Sequence, residues 1–258
     1  MLPNTVKDII HQLIGQVVSS HGSTGSDALI WQPPLVGFAR AADPLFRRLK
    51  QVAHPGHLLP SDLLEGASSV IVYFIPFQES ITRGNAEGDS PSMGWAKAYQ
   101  ETNELITLIN AEISTYLQSE GLQCSTIPPT HNFDPASLLS PWSHRHAAYI
   151  AGLGTLGLNR MLITEKGCAG RLGSLVTELE LTPTIRAEQD YCLYLHDGSC
   201  SACIERCPCG ALGFDDLDRH RCYARLCANE KELSLDGPAD VCGKCCCGLP
   251  CSSRNPAG

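Results

Sequence analysis

Apolar and polar residues follow each other upstream of residue 130 in patterns that predict helices and strands in turn. Apolar residues at spacings of three and four between Val6 and Val18 predict an amphipathic helix. Further helices are predicted over residues 44–52 and 95–120, and Leu105 and Leu108 are assigned to the apolar face of the second. Strands are predicted over residues 35–39, 69–76 and 123–127. This alternation predicts an α/β or α+β layer.

Two stretches between these elements are predicted as loops. The stretch from Ser19 to Asp27 is rich in glycine and serine. The stretch from Glu79 to Gly94 is polar and rich in turn-forming residues, and it is long enough to act as a lid. A solvated loop without a function is the alternative for the second stretch.

Cysteine is concentrated at the end of the chain, where twelve of the fourteen cysteines lie between Cys192 and Cys251. The first run reads Cys192-x7-Cys200-x2-Cys203-x3-Cys207-Pro, and the second group has cysteines at 222, 227, 242, 245, 246, 247 and 251. Two C-x2-C pairs suit one tetrahedral zinc ion as well as an iron–sulfur cluster. Zinc needs four sulfurs only, whereas this segment has two sets of four and a proline after Cys207, as in bacterial ferredoxins. The pattern favours two [4Fe–4S] clusters, with structural zinc as the alternative.

The ferredoxin rule, in which one cysteine of each run crosses over to the other cluster, assigns the ligands. The first cluster takes three cysteines of the first run and a distant one, Cys192, Cys200, Cys203 and Cys251. The second cluster takes Cys207, Cys222, Cys242 and Cys245. Asp197 stands at the strict ferredoxin position and is an alternative to Cys192, and Cys227 is an alternative to Cys222. Cys209, Cys227, Cys246 and Cys247 are left as extras.

Composition and charge bound the remaining possibilities. A chain of 258 residues with 43% hydrophobic content can bury a full core, and we expect a domain over residues 1–185 and a cluster domain over residues 186–258. No stretch reads as a membrane span or signal peptide, so a cytoplasmic protein is expected, whose reduced cysteines bind metal. The net charge of −8 argues against a general nucleic-acid surface.

The glycine-rich stretch Gly152-x-Gly154-x-x-Gly157 invites a dinucleotide-binding interpretation. That interpretation requires a strand before the glycines and a helix after them. Residues 142–151 are predicted as a helix, so the glycines are assigned to a helix end instead.

The stretch from Ala151 to Ile163, the stretch from Gly170 to Leu181 and the double cysteine motif, in this order, resemble the epoxyqueuosine reductase family and, more distantly, the reductive dehalogenases. The resemblance implies an α+β protein with a nitroreductase-like α/β core and a C-terminal ferredoxin-like double-cluster domain. It also implies a base-off cobalamin that receives single electrons from the clusters. A flavin, or no organic cofactor, are the alternatives.

The chain departs from the family pattern at the expected acid. Leu138 occupies the position of the family's proton-donating aspartate, and His144 replaces a glutamate, while Arg145 agrees. The acid–base candidates are therefore Asp134, His144 and His146. The cofactor-binding candidates are Arg145, Gly152, Gly154, Gly157 and Asn159.

These observations predict an iron–sulfur oxidoreductase that works anaerobically. A low-potential donor of the ferredoxin or flavodoxin type supplies the electrons, and a small molecule or corrinoid in the α/β pocket accepts them. tRNA epoxyqueuosine is not carried over as the substrate, no membrane partner is expected, and a homodimer is a further expectation. The alternative function is an electron carrier without a substrate of its own.

Overall fold

The computed structural model describes residues 3–21 and 29–258, and it shows a mixed α/β fold. The helices are α1 (Pro3–His21), α2 (Pro44–Val52), α3 (Pro60–Leu63), α4 (Glu79–Gly84), α5 (Met93–Ser119), α6 (His144–Ile150), α7 (Leu193–Asp197), α8 (Ala202–Glu205) and α9 (Arg219–Leu233). The strands are β1 (Leu35–Arg40), β2 (Ser69–Pro76), β3 (Cys124–Thr126), β4 (Gly154–Leu156), β5 (Leu162–Thr164) and β6 (Gly170–Thr177). Residues 22–27 of the predicted glycine- and serine-rich loop lie outside the described residues, whereas Ser19 and Ser20 belong to α1.

A four-stranded sheet with the order β1-β2-β6-β3 forms the centre of the α/β part. β1 pairs antiparallel with β2, with Leu35 opposite Phe74, and β3 pairs antiparallel with β6. All eight residues of β2 are buried, which confirms the buried strand expected from its β-branched and aromatic sequence. The Tyr73 hydroxyl donates to Asn110 Oδ1 at 2.8 Å, so the sheet is also tied to α5 by a buried hydrogen bond.

Two helices confirm the periodicity of the sequence. In α1 the residues Val6, Ile10, Ile14 and Val18 are buried, at the four-residue spacing of one helical face. In α5, Leu105 is fully buried, but Leu108 is 45% exposed, so its assignment to the apolar face was wrong. Three residues advance a helix by somewhat less than a full turn, which carries Leu108 to the edge of the buried face.

The segment between β2 and α5 differs from the predicted loop. Residues 79–84 form α4, and α5 begins at Met93. The turn between the two helices is held by cations, because the buried Lys244 ammonium donates to the carbonyl oxygens of Asn85 at 2.8 Å and Glu87 at 2.7 Å. The Arg206 guanidinium donates to the carbonyl oxygens of Ala86 and Gly88. These bonds favour a fixed segment over a lid.

The chain divides by its contacts into two compact units. The first comprises the chain up to Ile75 together with Asn103–Leu153 and Leu172–Ala187. The second comprises Pro76–Thr102, Gly154–Arg171 and Glu188–Gly258. The second unit therefore contains the cysteine-rich segment that was expected over residues 186–258, and it also includes two segments from upstream.

No helix within residues 3–21 and 29–258 combines the length and the apolar character needed to cross a membrane.

Candidate metal centre

The four cysteines predicted for the first cluster line one small cavity in the second unit. Its volume is about 20 Å³, and Cys192, Cys200, Cys203 and Cys251 all contribute to its wall. The rest of the wall is uncharged and consists of Asn159, Ile163, Leu193, Leu249, Pro250 and Pro256. The long gap between Cys192 and Cys200 is taken up by α7, which ends at Gly198 with φ 79°. The structure thus brings together cysteines that the sequence separates unevenly.

Asp197, the alternative first ligand, does not line this cavity. Its side chain is exposed, and its Oδ1 accepts a hydrogen bond from the Ser199 backbone N–H at 2.9 Å. Hydrogen bonds from Ser199 lower the pKa of the Asp197 carboxyl group. Asp197 closes a local turn, and the geometry favours Cys192 as the first ligand.

The four cysteines predicted for the second cluster line a larger cavity of about 250 Å³ in the same unit. Two of the extra cysteines, Cys209 and Cys246, also line it, whereas Cys227 does not. The geometry therefore favours Cys222 over Cys227. The remaining wall includes three aromatic side chains, two arginines and one aspartate, namely Phe77, Trp95, Tyr99, Arg171, Arg225 and Asp240.

The chemistry of both walls fits an iron–sulfur cluster. Burial, followed by the neighbouring thiols, raises the pKa of Cys203 to about 11 and that of Cys222 to about 12. Such thiols ionise when a metal supplies compensating positive charge, and thiolates are the ligands that iron–sulfur clusters use. Among residues 3–21 and 29–258, no three His, Cys, Asp or Glu side chains lie close enough to hold a single metal ion. The fit of a cluster therefore rests on the donor chemistry of the two cavities.

One polar atom in the wall of the second cavity lacks a hydrogen-bond partner. The Nε of Arg225 is buried and unpaired, although the Nη2 of the same guanidinium donates to Asp89 O at 3.3 Å and to Ser90 Oγ at 3.2 Å. A buried N–H without an acceptor is costly. Sulfur atoms of a bound cluster would offer an anionic acceptor in this cavity.

Cys168 lies beside a predicted cluster ligand, although the sequence motifs did not assign it to a cluster. It is buried, and its Sγ lies 3.9 Å from the Sγ of Cys251. Its backbone N–H donates to Cys251 O at 2.9 Å, so the two segments are fixed side by side. Hydrogen bonds with Cys246 and Cys251 lower the pKa of the Cys168 thiol well below its ordinary value. No spacing motif marked Cys168, because its contact with Cys251 spans 83 positions of the chain.

Asn159, one of the predicted cofactor-binding residues, touches both cysteine groups. It lines the first cavity, and its Nδ2 donates to the carbonyl oxygen of Cys245 at 2.9 Å. The same amide nitrogen lies 3.6 Å from Cys168 Sγ, while Oδ1 accepts from the Met161 N–H at 3.1 Å. Asn159 is thus a buried link between the two cavities.

Gly152 follows α6, Gly154 begins β4 and Gly157 follows that strand, so the glycines lack the strand–turn–helix order of a dinucleotide-binding turn. Gly152 has φ 74°, and a Cβ there would lie 2.8 Å from Ile185 O. A Cβ at Gly154 would overlap the carbonyl oxygen of Ile163, and one at Gly157 would lie 2.8 Å from Asn159 Oδ1. Other atoms of the chain therefore occupy the space where a Cβ would lie at each of these glycines.

Of the three acid–base candidates, His144 is the most constrained. It is 9% exposed, its Nδ1 lies 2.8 Å from Ser174 Oγ, and its Nε2 lies 3.0 Å from Pro128 O. Because a carbonyl oxygen only accepts, Nε2 carries the proton and Nδ1 accepts from the serine hydroxyl. Both ring nitrogens of His144 are used in packing the first unit.

Asp134 and His146 are also poorly suited to donate a proton at neutral pH. Hydrogen bonds from the Ser137 hydroxyl and backbone N–H, at 2.7 and 2.8 Å, lower the pKa of the exposed Asp134 carboxyl group. Burial and the charge of Arg145 lower the pKa of His146 to about 4, and its Nδ1 lies 2.8 Å from Ser143 Oγ. Arg145 itself is half-buried on α6. A proton-donating role for these residues stays a prediction that this geometry does not favour.

Comparison with known proteins places this geometry in context. No protein-family model matches the chain. Curated epoxyqueuosine reductases are similar to it in sequence: that of Cyclobacterium marinum is 28% identical over 180 residues, which cover 69% of this chain and 54% of the relative. That of Pseudomonas aeruginosa is 26% identical over 169 residues, or 65% of this chain and 44% of the relative. The chain spans about half the length of the curated relatives it matches.

Solved structures show the same fold at low identity. The structure of epoxyqueuosine reductase from Bacillus subtilis matches with a TM-score of 0.51 at 20% identity, over 84% of this chain and 57% of that one. A catabolic reductive dehalogenase matches with a TM-score of 0.59 at 18% identity, over 92% of this chain and 32% of that one. The sequence and fold similarities agree with the order of motifs in the sequence. The chain is therefore similar in sequence to epoxyqueuosine reductases and shares its fold with them and with the reductive dehalogenases.

Proposed function

We propose that this chain is an iron–sulfur reductase that relays single electrons through two [4Fe–4S] clusters to an acceptor. The observation that supports the proposal most directly is the pair of cysteine-lined cavities, each with four of the eight predicted ligands in its wall. When bound, such clusters supply one-electron transfer at potentials set by ligands, hydrogen bonds and exposure. The relatives named as reductases favour this function over that of a carrier without a substrate.

In this proposal the protein holds the clusters close together and keeps water away from them. The charge of Cys245, assigned to the second cluster, acts on Cys203, assigned to the first. Asn159 fixes the backbone of Cys245 while it lines the first cavity. Buried Cys168 contacts both Cys251 and Asn159, so it would support this side of the first cavity.

The acceptor is a separate part of the proposal. A reductive dehalogenase of similar fold is described as acting by B12-dependent dehalogenation, and an epoxyqueuosine reductase of similar fold was solved with an epoxyqueuosine-modified tRNA-Tyr stem loop. The second cavity, at about 250 Å³, is smaller than the roughly 300–1,000 Å³ typical of pockets for drug-sized ligands. This cavity is the one assigned to the second cluster, so its volume does not test a corrinoid in the α/β pocket, and no step is routed through one. The corrinoid, the small-molecule acceptor, the low-potential donor, the homodimer and the cytoplasmic location stay proposals, and a tRNA acceptor is suggested by the relatives alone.

Iron analysis of anaerobically purified protein tests the proposal. We expect a brown protein with roughly eight irons per chain. Cys203→Ser should lose about half of the iron and destabilise the fold around the first cavity, because ligation and folding are coupled. Cys124→Ser is the matched control, since Cys124 lies in β3 beside Ser114 and lines neither cavity. A colourless protein with stoichiometric zinc would refute the proposal.

Addition of cobalamin or of a tRNA stem loop to the same anaerobic protein separates the acceptors. A base-off cobalamin spectrum whose reduction requires the clusters would support a corrinoid acceptor. Retention of the stem loop at physiological salt would support tRNA. If neither binds and the iron is present, the acceptor is a small molecule or a partner protein.

A further inference from the structure

The two cysteine-lined cavities differ in charge. The wall of the first contains no charged side chain besides the four cysteines. The wall of the second contains Arg171 and Arg225 with a single carboxylate, that of Asp240. One electron added to a cluster adds one negative charge, which a positively charged wall stabilises and a neutral wall does not.

Each charged side chain of the second wall is held in place. The Arg171 guanidinium lies over the ring of Tyr99 at 4.2 Å from the centroid, and the Tyr99 hydroxyl donates to Asp240 Oδ1 at 3.1 Å. The hydrogen bond holds the charged Asp240 carboxylate in place, and the two arginines leave this wall with one excess positive charge. Arg225 is anchored through its Nη2 on Asp89 O and Ser90 Oγ, which leaves the buried Nε–H of the same group unpaired in the cavity wall.

Further cations lie near the second group of cysteines. The ammonium of Lys244, two residues after Cys242, is fully buried, and the charge of Arg221 acts on Cys209. A buried ammonium bound only to carbonyl oxygens needs a nearby negative charge to offset its desolvation. Cys242 in the wall of the second cavity, together with Cys247 and Asp89, supplies negative charge that acts on the Lys244 ammonium. The described surroundings of the first cavity offer no comparable cation among its lining residues.

We propose that the cluster in the second cavity has the higher reduction potential, and that electrons therefore enter at the first cavity and leave from the second. In this proposal the buried Nε–H of Arg225 would donate a hydrogen bond to a sulfur atom of this cluster, and Arg171 in the same wall would add positive charge. In the transfer step one electron leaves the reduced first cluster, which is oxidised, and reduces the second. The external low-potential donor then reduces the first cluster again. This inference rests on the proposed function, because it requires both clusters.

A redox titration of the anaerobic holoprotein, followed by electron paramagnetic resonance, tests the inference. In the wild type we expect two one-electron transitions at different potentials. Arg225→Gln removes the charge and the Nε–H, and it should lower the higher potential by at least about 59 mV, a ten-fold change in the ratio of reduced to oxidised cluster. The lower potential should stay where it is. Arg225→Lys keeps the charge without the Nε–H, so its shift should be smaller and in the same direction.

Arg219→Gln is the matched control, because Arg219 is exposed at the start of the same helix, α9. It removes the same charge from a position that solvent screens, and neither potential should move. Iron content is measured first on every variant. If Arg225→Gln loses iron, the test rests on Arg225→Lys. An unchanged higher potential in Arg225→Lys would then overturn the inference.

Three results would overturn the inference while leaving the proposed function intact. They are a wild type with two equal potentials, a shift of the lower potential in Arg225→Gln, and no shift in either arginine variant. A wild-type protein without iron would instead refute the proposed function. The two failures are therefore told apart by the iron content of the wild type.

Discussion

His144 provides the sharpest test of how the first unit is held together. Its ring is the middle of a chain of hydrogen bonds in which Trp142 Nε1–H donates to Ser174 Oγ at 3.0 Å and the Ser174 hydroxyl donates to His144 Nδ1 at 2.8 Å. His144 Nε2–H then donates to Pro128 O at 3.0 Å. Every donor in this chain has one acceptor, because an indole N–H only donates and a carbonyl only accepts. His144→Ala breaks the chain at its centre.

The cost of His144→Ala follows from these contacts. Two hydrogen bonds are lost, each with a net contribution of about 1 kcal/mol. The Ser174 hydroxyl still accepts from Trp142 and the Pro128 carbonyl still accepts from Asn132 Nδ2 at 3.5 Å, but the buried Ser174 O–H loses its acceptor, and an unsatisfied donor costs about 1–3 kcal/mol. We therefore expect a loss of roughly 3–5 kcal/mol in the free energy of unfolding. That is a large part of the roughly 5–15 kcal/mol typical of a folded protein.

Urea unfolding of the anaerobic protein, followed by far-UV circular dichroism, measures this loss. Ser174→Ala removes the neighbouring link of the same network. The double variant should therefore lose about 1 kcal/mol less stability than the sum of the two single losses. His220→Ala is the control, because His220 is exposed on α9. Its effect should stay within about 0.5 kcal/mol.

A different result would favour a role for His144 in the reaction. If His144→Ala unfolds at the wild-type urea midpoint and keeps its iron, but loses reductase turnover, the ring acts on the substrate and its hydrogen bonds are secondary. Additive losses in His144→Ala and Ser174→Ala would also refute the network.

Two further predictions concern residues near this network. Because the pKa of His146 in the folded protein is about 4, below the ordinary 6.5, the unfolded chain binds the proton more tightly between these values. The contribution of His146 to the free energy of unfolding should therefore be fully present above pH 6.5 and be lost as the pH drops towards 4, by up to about 3 kcal/mol. His146→Gln should flatten this part of the pH profile of urea unfolding. An unchanged profile would contradict the assignment. Leu138 has φ 54°, a left-handed conformation that costs a branched residue about 1–2 kcal/mol and that asparagine tolerates. Leu138→Asn should therefore raise the melting temperature, in contrast to Leu139→Asn, and equal losses in both would refute the strain.

The sequence by itself determined the local elements and the chemical class of the site. The four-residue spacing of α1, the β-branched run of β2 and the stretch 44–52, which begins with Pro44 in the first turn of α2, fix elements through contacts between near neighbours, and these were predicted closely. The cysteine spacing and the family resemblance indicated a thiolate-rich reductase, because the residue type determines which ligand atoms a side chain offers. The helix before Gly152 also followed from the sequence, whereas the strand β4 that begins at Gly154 was not predicted.

Only the tertiary structure decided which side chains meet. It brought Cys192 and not Asp197 to the first cavity, placed Cys168 3.9 Å from Cys251, and left the Nε of Arg225 unpaired in the wall of the second. It also placed the ring of His144 between Ser174 and Pro128, with a hydrogen-bond partner at each ring nitrogen. Each of these contacts joins residues at least 16 positions apart or depends on what surrounds a buried atom. Periodicity and spacing describe near neighbours along the chain, whereas burial and the pairing of distant groups are set when the whole core packs.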